Sequence, residues 1–159
     1  MKLTCTFIIF CLFQGRPPFE NKHTFPGNCE VSGTTKVDAT VLFFPYRKDF
    51  QTTYQLKIRV NQTSRQTILD ITHKGHTSTL QGTLVNDNLI ELLPNQSIPQ
   101  NFEGDGFVAE LTGTLKKGML ITIKKQTRMY LNLDVNGTIS SKGISADAKG
   151  KVETDAYSK

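Results

Sequence analysis

"TLQGTLVNDNLIEL" occupies residues 79–92, and its frame returns as "ELTGTLKKGMLITI" at 110–123 and as "DVNGTISSKGISAD" at 134–147. Each copy sets Gly-Thr and an aliphatic residue before a polar stretch, then resumes an apolar alternation. Stretches rich in Asn, Asp, Lys and Gly accept the positive φ that tight hairpins need. Each copy therefore reads as a β-hairpin, turning at Asn86-Asp87-Asn88, at Lys116-Lys117-Gly118 and at Ser141-Lys142-Gly143. The copies start 31 and then 24 residues apart, so the repeat is supersecondary and not a solenoid. Their glycines stand in line with inward aliphatics, where a missing side chain permits a bend or a close approach by the opposite wall.

The flanking sequence has the same period of two. In "TYQLKIRV", Tyr54, Leu56, Ile58 and Val60 alternate with Gln55, Lys57 and Arg59. An apolar face backed by a polar one is the mark of a half-buried strand. Upstream, Val31, Val37, Ala39, Val41 and Phe43 share one face, and Phe44-Pro45 ends that run. No segment has the apolar spacing of an amphipathic helix. The expected fold is all-β: an antiparallel up-and-down meander of about eight strands closed into a small barrel, which removes the sheet's edges. A two-sheet β-sandwich is the alternative.

At 159 residues the chain is one domain's worth and can bury a core without covalent staples. Its formal charge of +5 is too small by itself to indicate a nucleic-acid binder. Residues 1–15 stand apart: Lys2 precedes an uncharged run from Leu3 to Phe13, too short to span a bilayer as a helix but matching the core of a secretory signal. The expected layout is a signal peptide at 1–15, a Pro-rich leader at 16–28, a β-barrel domain at 29–150 and a polar tail at 151–159. Localisation is then secreted or in a cell envelope. Cys5 and Cys11 fall in the signal, which leaves Cys29 without an internal disulfide partner and expected to be buried and inert.

The order of these features resembles the calycin-like β-barrel proteins of bacterial cell envelopes: a "G-T" strand, an "LVNDNLIELLP" hairpin, a "GDGF" loop and a "GTLKKGMLITI" hairpin, over roughly residues 30–148. The resemblance implies a single exported barrel and brings no catalytic residues with it. The chain departs from true lipocalins in lacking tryptophan, so the Gly-x-Trp of their first strand is missing and their ligand chemistry is not carried over.

Several clusters invite a chemical reading. Asn101, Glu103 and Asp105 precede Gly106 as calcium ligands would, but Thr112 stands where the loop's closing glutamate belongs. His73 and His76 flank a turn, yet two imidazoles are half a metal site. Lys116, Lys117, Lys124, Lys125 and Arg128 gather on one expected hairpin, as a docking patch for an anionic partner or as a solvated edge that deters strand pairing. Asn61, Asn95 and Asn136 head Asn-x-Ser/Thr sequons. No nucleophile set, metal set or phosphate loop appears, and interleaved aromatics for stacking bases are absent. Leu56, Ile58, Val60, Leu111, Leu115, Ile121, Ile123, Leu131 and Leu133 are expected to line the interior. A barrel lined that way packs solid or holds an apolar molecule. The expectation is a monomeric, non-enzymatic exported binding protein with no cofactor and no metal, holding a small lipophilic ligand inside. The alternative is a surface module gripping a protein, a glycan or an anionic surface through its loops and the basic hairpin 116–128.

Overall fold

The computed structural model describes residues 23–159 except residue 105. The expected signal peptide and the first part of the leader lie outside the described residues. The described elements are nine antiparallel strands: β1 (Asn28–Val41), β2 (Phe44–Val60), β3 (Gln66–His73), β4 (His76–Asn86), β5 (Leu89–Leu92), β6 (Ser97–Gly104), β7 (Phe107–Ile123), β8 (Gln126–Ser141) and β9 (Ile144–Tyr157). They form one sheet in the order β5-β4-β3-β2-β1-β9-β8-β7-β6, and β5 also pairs with β7. Hydrogen bonds thus run in a ring through eight strands, as the meander required, and not through two facing sheets.

The alternation in the sequence is the alternation in the sheet. On β2, Thr52, Tyr54, Leu56 and Ile58 are buried while Thr53, Gln55, Lys57 and Arg59 face solvent. Leu69, Leu80, Ile90, Leu115, Leu120, Met129 and Leu133 are fully buried in the middle of the ring. One end of the ring holds the connections 61–65, 87–88 and 124–125. Residues 23–27 cross this end: Thr24 N–H donates to the Asp87 carbonyl at 2.8 Å, Ile58 N–H to the Gly27 carbonyl at 2.8 Å, and Phe25 is buried. The opposite end, here the hairpin end, carries the turns 42–43, 74–75 and 142–143 and the connection through Gly106.

Three expectations are corrected. The second Gly-Thr copy is not a hairpin: β7 runs unbroken through Lys116-Lys117-Gly118 and turns only at Lys124-Lys125, both at positive φ. What the lysines mark is a β-bulge between Leu115 and Lys117. An extra residue inverts the alternation beyond it, so Leu120 and Thr122 point inward and Ile121 and Ile123 outward; Ile123 is 61% exposed. Next, residues 151–159 are no tail. β9 continues to Tyr157, with Val152 and Ala156 buried and paired to Val37 and Gly33. Lastly, Phe43 does not face inward but stands in the β1–β2 turn, and β2 begins at Phe44.

Candidate functional site

The ring parts at one place. β5 ends at Leu92 because Pro94 has no N–H to offer and Asn95 takes the left-handed conformation (φ 63°). Gln96 then closes the last rung with its side chain: its Oε1 accepts from Gln81 N–H at 2.7 Å, and its Nε2 donates to the carbonyls of Gln81 at 2.9 Å and Leu93 at 2.6 Å. Beyond that amide, β4 residues 76–80 have a strand partner only in β3, and β6 only in β7. Between these two edges lies a cleft of about 400 Å³, whose lining includes His73, Lys74 and His76 around the 74–75 turn. Tyr54, Ile71 and Ile98 are its buried apolar residues, while His73, Lys74, His76, Asn101 and Glu103 bring polar groups to it.

Local contacts hold this wall. His73 Nδ1 lies 2.9 Å from the Thr53 carbonyl, which can only accept, so the proton sits on Nδ1 and Nε2 is the acceptor when the ring is neutral. The same ring packs on Tyr54, with centroids 5.0 Å apart. Tyr54 links the cleft to a hydroxyl cluster inside the ring. Thr35 Oγ1 bonds Thr52 Oγ1 at 2.8 Å, Tyr54 Oη at 3.0 Å and Thr154 Oγ1 at 3.0 Å. One donated and two accepted bonds saturate a hydroxyl, so this buried cluster is a satisfied structural device.

Of the nine residues expected to line the interior, Leu56, Ile58, Leu111, Leu115, Leu131 and Leu133 are buried there, and Val60 is half-buried at the rim. Ile121 and Ile123 lie on the other face, for the reason given by the bulge. None of the nine borders the cleft. Tyr54 is legible in the sequence as an inward position, but nothing there signals that β4 and β6 separate above it.

The five basic residues all lie on the β7–β8 hairpin but are spread along it. Lys116 pairs with Asp134 at 3.2 Å, and Arg128 makes two 2.8 Å hydrogen bonds to Asp155 and lies over the Tyr157 ring. That guanidinium holds the Asp155 carboxyl below its usual range. Seven residues of strand, about 23 Å, separate Lys117 from Lys124. His73 and His76 do share the cleft, but among the described residues no three His, Cys, Asp or Glu side chains converge as metal ligands. Asn101 and Glu103 lie on β6, and Asp105 falls outside the described residues. Asn61, Asn95 and Asn136 are all exposed, Asn61 capping its loop by accepting from Thr63 and Ser64 N–H at 3.0 Å.

Cys29 is half-buried against the core, and desolvation raises its pKa despite a hydrogen bond with Thr127 that acts the other way. The thiol is therefore protonated at neutral pH. Its reaction with a charged disulfide reagent at pH 7.5 is expected to be at least about tenfold slower than that of a free thiol, rising to the free rate in denaturant. Native and denatured rates that agree would contradict that placement.

No family model, curated protein or solved structure matches the chain. No helix among the described residues is long and apolar enough to cross a membrane.

Proposed function

We propose that this chain is an exported, non-catalytic binding module that seats a small amphipathic molecule in the cleft between β4 and β6. The observation that carries the reading is the cleft itself: about 400 Å³, with Tyr54, Ile71 and Ile98 offering apolar contact beneath a polar rim. That volume falls within the range of ordinary small-molecule sites. An acyl or ring portion would lie against the three apolar side chains, with its polar head among His73, Lys74 and His76. The seat is thus at the parting of the sheet and not in the packed middle of the ring. The apolar run behind Lys2 and the calycin-like order of features support the export part of the reading.

A second reading has its own observation. Both walls of the cleft are strand edges with partners on one side only, and such edges accept an extended peptide as an added strand. One variant separates occupancy of the cleft from binding elsewhere. Ser78 is half-buried and borders the cleft, so Ser78→Phe puts a ring into the space without removing core contacts. An anilinonaphthalene sulfonate probe is expected to fluoresce on the wild type, to be displaced by oleate, and to lose affinity by about tenfold or more in the variant at unchanged Tm. Mass spectrometry of a solvent extract is expected to show one lipid-like molecule per chain. Displacement by extended peptides but not by oleate would favour the added strand. Equal probe affinity for wild type and Ser78→Phe would remove the cleft from consideration.

A further inference from the structure

We infer that the hairpin end docks on anionic lipid bilayers by inserting an apolar tip made of Leu42, Phe43, Phe44 and Ile144. These side chains are 61%, 92%, 73% and 72% exposed. They come from two neighbouring hairpins, β1–β2 and β8–β9, which the β1–β9 ladder holds side by side out to Val41 and Ala148. Leu42 N–H donates to the Asp147 carbonyl at 3.2 Å, tying the turn itself to the next hairpin. The tip is therefore one supported projection and not a loose loop.

The backbone gives a second, independent reason. Three other connections at this end use glycine at φ +81°: Gly75, Gly106 and Gly143. Two of these turns lead into the glycine with a lysine at φ 48°, Lys74 and Lys142; the β1–β2 turn has no glycine and holds Leu42 at φ 58°, a conformation that burdens a bulky side chain and that Asn or Gly would adopt freely. A strained turn built from Leu-Phe gains nothing for the fold when both side chains lie in water. Strain kept where it does not serve stability points to use.

The surroundings choose the occupant. Elsewhere the outer wall is mostly polar, with Lys36, Gln51, Lys57, Glu110, Asp134 and Glu153 exposed along it and apolar side chains such as Ile68, Val85 and Ile123 scattered singly. In the turn beside the tip Lys142 is exposed, and Lys149 is exposed farther along β9, while Arg47 is paired with Asp38 at 3.2 Å. The Lys142 ammonium beside the tip complements lipid phosphates and anionic headgroups. Four convex side chains are also too few for a stable protein interface, which needs about 800 Å² from each partner. A fluid bilayer takes in a narrow apolar projection without needing a matching groove. This inference does not depend on what fills the cleft, although the cleft lining reaches the same end at Lys74.

The chain has no tryptophan, so Phe43→Trp in the full chain provides a single indole emitter at the tip. The readout belongs there because the apolar run 3–13 can bind lipid by itself. With phosphatidylcholine vesicles containing roughly a third phosphatidylserine, the indole emission is expected to shift to the blue and be quenched by brominated acyl chains, less so on pure phosphatidylcholine or in high salt. In the native background, Phe43→Ser is expected to weaken vesicle binding about tenfold at unchanged Tm, since the ring is solvent-exposed. Leu42→Asn should weaken binding and raise Tm together, and Ile123→Ser, exposed at the other end, should change neither. Cosedimentation of Phe43→Trp with no change in its indole emission would overturn the inference. So would equal losses from Phe43→Ser and Ile123→Ser, or a lipid-free dimer that buries the introduced indole.

Discussion

Gly150→Val is expected to leave the protein unfolded or barely folded at ordinary temperature. Gly150 lies on β9 opposite Ala39 of β1 and Val135 of β8. A Cβ there would overlap the Asp38 carbonyl oxygen and the Ala39 Cα and come within 2.8 Å of the Ala39 Cβ. Two of those atoms are main chain, so no rotamer change relieves the overlap. Relief requires breaking the β1–β9 ladder, which joins the first strand to the last. Gly33 repeats the arrangement farther along the ladder, where a Cβ would meet the Asp155 carbonyl and stand 2.6 Å from the Ala156 Cα. Each glycine thus faces an alanine across the same pair of strands. The cost should exceed about 4 kcal/mol, a large share of the roughly 5–15 kcal/mol that a domain possesses. Far-ultraviolet circular dichroism during heating would measure it. Gly27→Ala is the control, because nothing lies within 4 Å of its position. A cooperative Gly150→Val transition near the wild-type Tm would refute the close approach of these strands.

Thr35→Val is expected to cost about 2–4 kcal/mol although it removes no volume. Valine reproduces the shape of threonine, so packing is retained and only the hub hydroxyl is lost. Its three partners, on Thr52, Tyr54 and Thr154, then share one buried space without their common acceptor and donor. Leaving such groups unmatched costs more than the original bonds contributed. For a domain of this size the loss corresponds to a fall in Tm of roughly 5–15 °C. The diagnostic result is recovery: adding Thr52→Val and Thr154→Val to Thr35→Val should restore part of the stability, since unpartnered hydroxyls are removed with each change. A triple variant less stable than the single one would mean that packing and not hydrogen bonding governs this layer.

Much of the architecture was written locally and could be read locally. The alternation of Tyr54, Leu56 and Ile58 with Gln55 and Lys57 specifies one strand and its buried face, and Lys142-Gly143 specifies a turn. What escaped depends on events that composition does not mark. The bulge at Leu115–Lys117 follows a Gly-Thr phrase identical to those that do precede hairpins, and a single extra residue is enough to send Ile121 and Ile123 outward. Residues 151–157 look polar because their outward members are Lys151, Glu153, Asp155 and Tyr157; the small inward partners Val152, Thr154 and Ala156 give a weak signal. Thr35 sat on the same face as Val31 and Val37, but a threonine on a strand is equally at home in water or in a hydroxyl cluster. The cleft needed more still. It arises because β5 stops after four residues while β6 follows β7 away from β4, a divergence between segments far apart in the chain.

Because β1 lies between β2 and β9, the first and last strands are neighbours, and both the entry at Asn28 and the exit at Tyr157 are at the Phe25 end. The ring consequently has no privileged starting point. A short peptide could splice these two ends, and new ones could be opened at Lys142-Gly143, giving a circular permutant with every neighbour relation preserved. Strand sequence along the polypeptide and strand adjacency in space are here separable properties, and adjacency is the one the side chains encode.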